Sequence, residues 1–182
     1  MRKIDSLKFI RLCGLYTPEA EEFTAEQTDA MIDYAKTMQQ KYGNFNLRTD
    51  SPKGSDRISM NNPFVKFCSI EQLREIVEKH GDKLSYIIHQ SIDDSRIICN
   101  GAGFLDGNKS FFAEVNFIDK TTQREAMKNA EHLNQVIIGC GHRDIALEKI
   151  RKDLIKHKIG GVVEFSIFED GTPVYWQIRD KH

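Results

Sequence analysis

The sequence predicts an α+β domain in which a mostly antiparallel sheet packs against helices. Three observations predict it. Two Asp-Gly pairs, Asp106-Gly107 and Asp170-Gly171, each sit between β-rich runs, and such pairs favour the tight turns of antiparallel hairpins. Two helices announce their starts with a hydroxyl residue followed three positions later by glutamine, Thr24 with Gln27 and Ser69 with Gln72. Helical and strand periodicities also follow one another irregularly, in the order α-β-β-α-β-β-β-α-β-α-β-β. A doubly wound parallel sheet instead needs a helix between successive strands.

Along the chain, residues 1–23 carry the weakest pattern. Lys8 to Leu12 fits a short strand or a helical turn, and Thr17-Pro18 interrupts whatever precedes it. After the cap at Thr24, Ala30, Met31, Tyr34, Ala35 and Met38 recur at helical spacing until Gly43. Phe45 to Thr49 reads as a strand. Asp50 to Pro63, with Pro52, Gly54 and several serines, reads as a loop. Phe64 to Cys68 is a short strand, and Leu73, Ile76 and Val77 form the stripe of a helix that Gly81 stops. Leu84–Gln90, Arg96–Leu105 and Lys109–Ile118 are three β-like runs. Gly101 and Gly103 within them mark a bulge or a close backbone approach. A polar helix over 121–133, a buried strand at Val136–Ile138 and a helix over 144–157 follow. The core candidates of that last helix are Ile145, Leu147, Ile150, Leu154 and Ile155. The chain is one α+β domain over 1–182, or two small lobes divided between residues 80 and 81.

Composition narrows the function classes. The 182 residues are 40% hydrophobic and 29% charged, with a formal net charge of -1. That balance gives no global attraction to nucleic acid or to an anionic membrane. No apolar run approaches the roughly 20 residues that cross a bilayer, and the N-terminal octapeptide has no sustained apolar region. Cys13, Cys68, Cys99 and Cys140 form no C-x-x-C pair. Cys140 with His142 is too short and solitary a motif for structural zinc. Cys68 and Cys99 read as small buried hydrophobes, and the whole as a reduced, cytoplasmic protein.

The closing hairpin is the richest in chemistry. Strand alternation puts Glu164 and Ser166 on one face and Val163 and Phe165 on the other. By the same rule Tyr175, Gln177 and Arg179 share a face. A carboxylate, an amide oxygen and a guanidinium on one hairpin form a set that could hold a metal ion and the phosphate it neutralises. Arg48, Lys53 and Arg57 cluster around the 50–63 loop as a second candidate phosphate clamp. Ordinary readings stand beside these. Glu164 suits an exposed ion pair, His89 a packed strand position, and Trp176 and Phe165 the core. Asp144 suits a helix cap, although the amides of 141–144 could also bind an anion. No nucleophile stands beside a base at a spacing that argues for an acyl-transfer triad.

Taken in order, Asn46-Leu47-Arg48-Thr49-Asp50, the loop, the Ser69-capped helix, His89-Gln90-Ser91-Ile92-Asp93, Val162-Val163-Glu164-Phe165 and Tyr175-Trp176-Gln177-Ile178-Arg179 resemble a known family. That family is the ATP-grasp fold, and the version most similar is the one in phosphoenolpyruvate synthase and pyruvate phosphate dikinase. The resemblance spans roughly residues 44–179. It implies that Arg48 contacts ATP phosphates with Lys53 nearby, and that Gln90 and Ile92 line the adenine side. It further implies that Glu164 and Gln177 hold Mg²⁺ and that Arg179 meets the terminal phosphate. The loop from Ser51 to Arg57 departs from the glycine-rich phosphate cradle. The implied function is Mg-ATP-dependent phosphoryl transfer to an acidic small molecule, with Arg48 and Arg179 as catalytic cations. The alternative is a non-catalytic binding or assembly module of a reduced form of that fold. The implied partners are a nucleotide with a small substrate, or a protein; a free edge strand would allow a homodimer.

Overall fold

The computed structural model describes residues 1–54, 62–116 and 145–179, and the backbone of 134–138. The expected helix over 121–133, the glycines and the anion turn at 139–144, and Arg57 lie outside the described residues. The chain divides into two compact units. One comprises residues 18–92 with Arg2; the other comprises residues 3–17 and the chain from Asp93 onward.

In the unit of residues 18–92, β1 (Ala20–Phe23), β4 (Ser85–Gln90), β2 (Phe45–Asp50) and β3 (Phe64–Val65) form a four-stranded sheet in the order β1-β4-β2-β3. Every pairing is antiparallel. Helices α2 (Thr28–Tyr42) and α3 (Ile70–His80) pack on one face. Ser69 Oγ accepts from the Gln72 N–H while the Gln72 side chain returns to the Ser69 N–H, so two otherwise orphaned donors are satisfied. The Thr24/Gln27 box is also present, but it encloses a 3₁₀ turn over Ala25–Gln27 that leads into α2. Met31, Ile32, Ala35 and Met38 face the core with Phe45, Leu47, Leu73, Val77, Tyr86 and Ile88. Ala30, expected in that stripe, is exposed, and Ile32 takes its place.

The other unit is built on a five-stranded antiparallel sheet in the order β7-β6-β5-β8-β9. Its strands are β5 (Ile97–Leu105), β6 (Phe111–Asn116), β7 (Asn134–Ile138), β8 (Val162–Phe168) and β9 (Pro173–Arg179). Both Asp-Gly turns join antiparallel neighbours. Asp106 Oδ1 accepts from the N–H groups of Asn108 and Ser110, and Asp170 Oδ1 accepts from Thr172 N–H. Gly171 sits at φ +79, a conformation that costs glycine little. Helix α4 (Ile145–Lys156) buries Leu147, Ile150 and Leu154 against the sheet. Ile145, expected in this core, is exposed.

The N-terminal segment is a helix, α1 (Lys3–Leu12), rather than the short strand or single turn that its sequence allows. Ile4, Leu7 and Ile10 are buried. Ser6 Oγ accepts from the Ile178 N–H, and the Tyr16 carbonyl accepts from the Tyr175 N–H. The free edge of β9 is therefore partly closed, which blunts it as a template for strand addition.

Gly101 and Gly103 are sites of close approach. A Cβ at Gly101 would lie 2.5 Å from Phe165 Cζ and 2.8 Å from the Glu114 carbonyl. A Cβ at Gly103 would lie 2.5 Å from the Phe112 carbonyl and 2.6 Å from Phe111 Cζ. These glycines let the Phe111 and Phe165 rings, 6.0 Å apart, lie over the strand.

Candidate functional site

The face of the five-stranded sheet turned away from α4 carries two polar rows beside the stacked Phe104 and Phe112 rings. Glu164 pairs with Gln177 on one side and Ala102 on the other; the next row is Ser166 with Asn100 and Val174. The register of β9 slips between these rows, because Glu164 opposes Gln177 while Phe165 opposes Tyr175. Trp176 is the extra residue of this β-bulge. It corrects the expectation that Tyr175, Gln177 and Arg179 share a face, since a bulge breaks strict alternation. Tyr175 joins the core with Phe165, and its hydroxyl donates to Asp153 Oδ2 at 2.7 Å. Burial and this carboxylate push its pKa upward. Trp176, expected in the core, is half-buried on the polar side and donates from Nε1 to Ser166 Oγ at 2.6 Å. Ser166 donates in turn to Asn100 Oδ1 at 2.7 Å.

Glu164, Gln177 and Arg179 do come together. Arg179 Nη2 lies 2.5 Å from Glu164 Oε1. The Glu164 side chain is 21% exposed and that of Arg179 60%, so the pair sits at the rim of the polar face. Gln177 is buried. A carboxylate and an amide oxygen are the hard donors that suit Mg²⁺, and two protein ligands are a usual number when substrate phosphates supply the rest. Among the described residues, no three His, Cys, Asp or Glu side chains group as a metal cage.

In the unit of residues 18–92, the sheet face turned away from α2 and α3 carries Asn46 and Arg48 from β2, Ser85, Ile87 and His89 from β4, and Phe64 from β3. Arg48 is only 5% exposed. Its guanidinium stands 5.3 Å from the Phe64 ring centroid, and no carboxylate pairs with it among the described residues. Glu22, on the same face, is taken by Arg2. A buried guanidinium with an aromatic neighbour and no counter-charge is a receptive position for an anion. His89 lies parallel to Phe64, with centroids 6.3 Å apart.

Of the remaining expected site residues, Lys53 is exposed in the turn after β2. The Gln90 side chain accepts from the Glu19 N–H, and its backbone N–H donates to Glu19 O. Ile92 is buried. Arg48, Lys53, Gln90 and Ile92 thus belong to one unit, and Glu164, Gln177 and Arg179 to the other. The Asn100–Ser166–Trp176 chain and the His89–Phe64–Arg48 group escaped sequence reasoning. Alternation alone places Arg48 and Asn46 together, but pairing β2 with β4 is what adds His89.

No protein-family model and no curated protein sequence matches the chain. Solved structures do. The D-alanine-D-alanine ligase from Coxiella burnetii is similar over 98% of this chain and 47% of its own, with 13% identity and a TM-score of 0.57. D-alanyl-alanine synthetase A from Vibrio cholerae is similar over 97% and 54%, with 14% identity and a TM-score of 0.54. The macrocyclase MdnC from Microcystis aeruginosa, solved bound with precursor peptide MdnA, matches over 97% and 51%, at 11% identity and a TM-score of 0.54. The fold is ATP-grasp-like. The chain spans about half the length of the solved structures it matches. No helix among the described residues is long and apolar enough to cross a membrane.

Proposed function

We propose that this chain is a Mg-ATP-binding domain that serves phosphoryl transfer to, or activation of, an acidic small molecule. The observation that carries the reading is the cross-strand pairing of Glu164 with Gln177, with Arg179 on the same face. Oxygen donors and a guanidinium on one face are what a magnesium-neutralised phosphate requires. Glu164 and Gln177 would hold the ion, whose contribution is charge neutralisation on the phosphates. Arg179 would meet the terminal phosphate. In its own unit Arg48, buried without a carboxylate partner among the described residues, would contact phosphate, with Lys53, Gln90 and Ile92 contributing on the nucleotide side. The Gln177-Ile178-Arg179 pattern is what supports the phosphoenolpyruvate synthase and pyruvate phosphate dikinase variant of the fold.

Calorimetric titration tests this reading. ATP is expected to bind in the presence of Mg²⁺ and much more weakly in EDTA. Equal affinities in both would contradict a metal-bridged phosphate site. One observation favours a non-catalytic module as the second reading: Arg179 occupies the Glu164 carboxylate. Under that reading Mg-ATP leaves the chain unaffected and a protein partner is the ligand.

A further inference from the structure

His89 is 3% exposed, and its two ring nitrogens differ. Nδ1 lies 3.0 Å from the Gln90 carbonyl oxygen. A carbonyl only accepts, so Nδ1 carries the proton. Burial pushes the imidazole down to about 4, so at neutral pH the ring is uncharged and Nε2 is a bare lone pair. Among the described residues, no hydrogen-bond donor reaches that buried Nε2. An unmatched buried acceptor is uncommon in a native protein and calls for a reason. Two neighbouring oxygens are engaged elsewhere. Asn46 Oδ1 accepts from the Phe67 N–H at 2.9 Å. Ser85 Oγ exchanges hydrogen bonds with Arg2 and the carbonyls of Asp50 and Ser51.

The position of this lone pair gives the reason. Ile87 opposes Arg48, and Asn46 opposes His89. His89 is therefore a diagonal neighbour of Arg48, on the same face, at a backbone separation of about 7–8 Å. Both side chains also border the Phe64 ring. A fixed cation and a fixed neutral acceptor stand at diagonal positions of one face, each without a protein partner of the complementary kind among the described residues. Burial disfavours proton uptake by His89, so the complementary group is a neutral donor and not a second anion.

We propose that His89 is a ligand contact: a molecule whose anionic part is held at Arg48 donates a hydrogen bond to His89 Nε2 from an amine or hydroxyl group. The inference rests on the reading of Arg48 as a phosphate contact, and it adds the residue that distinguishes a nucleotide from bare polyphosphate.

Calorimetry on the full chain with Mg²⁺ tests it, using ATP and inorganic tripolyphosphate as probes on the wild type, His89→Phe and His89→Gln. Phenylalanine keeps a ring against Phe64 and removes an unmatched polar atom, so folding is retained; thermal unfolding of the variant checks this. Tripolyphosphate is expected to bind all three alike. ATP is expected to lose about tenfold in affinity in His89→Phe, the value of one net hydrogen bond, and to regain most of it in His89→Gln. In ¹⁵N spectra the His89 Nε2 resonance should move with ATP and stay in place with tripolyphosphate. Inosine triphosphate, which lacks the amine, and 2′,3′-dideoxy-ATP, which lacks the hydroxyls, tell the two donors apart: the analogue lacking the donor binds wild type and His89→Phe equally. ATP affinity unchanged in His89→Phe overturns this inference alone. Equal weakening of both probes overturns it too, by making His89 structural. Tripolyphosphate that binds neither the wild type nor any variant overturns the Arg48 reading and this inference together.

Discussion

Arg179 reaches across the sheet to Glu164, with Nη2 2.5 Å from Oε1. The contact joins the two groups to which the proposed function gives different tasks. The carboxylate would face a cation, and the guanidinium would face a phosphate. Without ligand they satisfy each other.

Competition follows from that contact. Removing the guanidinium frees the carboxylate, so Arg179→Ala is expected to bind Mn²⁺ more tightly than the wild type does, while binding Mg-ATP more weakly. Because the Arg179 side chain is 60% exposed, the same change should alter stability by less than about 1 kcal/mol. Calorimetry with each ligand and a denaturant curve measure the three quantities. A variant weakened toward both ligands would argue against the competition.

Glycine at position 103 is required by space. Its Cβ would meet the Phe112 carbonyl at 2.5 Å, and backbone of a central strand pair has little freedom to retreat. Gly103→Ala is expected to destabilise by about 1–3 kcal/mol, the usual range for overpacking. A midpoint equal to the wild type's in urea would show that the sheet yields more readily than the geometry indicates.

The depressed pKa of His89 makes stability depend on pH. The folded value is about 4 against an ordinary 6.5. The unfolded chain therefore binds the proton first as pH falls, and stability is lost between about pH 6.5 and pH 4. The full loss from this one group is about 3 kcal/mol at most. Carboxylates titrate in the lower part of that window, so the informative quantity is the difference between wild type and His89→Phe. The variant's profile should be flatter between pH 6.5 and 5. Parallel profiles would show that His89 is not held neutral.

Tyr175 tests the bulge. If the slip at Trp176 turns Tyr175 inward, its hydroxyl is committed to Asp153. Tyr175→Phe then removes one partner of a half-buried pair and should cost about 1–2 kcal/mol. A cost near zero would leave the hydroxyl without a structural role.

Much of the framework could be read before any coordinates. Ser69 with Gln72 named a helix start, and Asp170-Gly171 named a hairpin, because both are local chemistry. Glu164, Gln177 and Arg179 were legible as a group because strand alternation is local too. The bulge at Trp176 was not, since nothing in Tyr175-Trp176-Gln177 marks where the ladder slips; core packing of Tyr175 decides it. Ala20–Phe23 was equally opaque. Ala-Glu-Glu-Phe has no strand pattern, and its extended form comes from pairing with Tyr86 to His89. His89 read as an ordinary packed residue because its unmatched nitrogen exists only once β2 and β4 are side by side.

The most direct test of the central claim is a thermal-shift titration with Mg-ATP on the wild type and on Glu164→Ala. A ligand that binds only the folded state raises apparent stability with the logarithm of its concentration over Kd. The account predicts a concentration-dependent rise in the wild type that Glu164→Ala loses. No rise at millimolar nucleotide, or an equal rise in both proteins, would contradict a metal-nucleotide site built on Glu164.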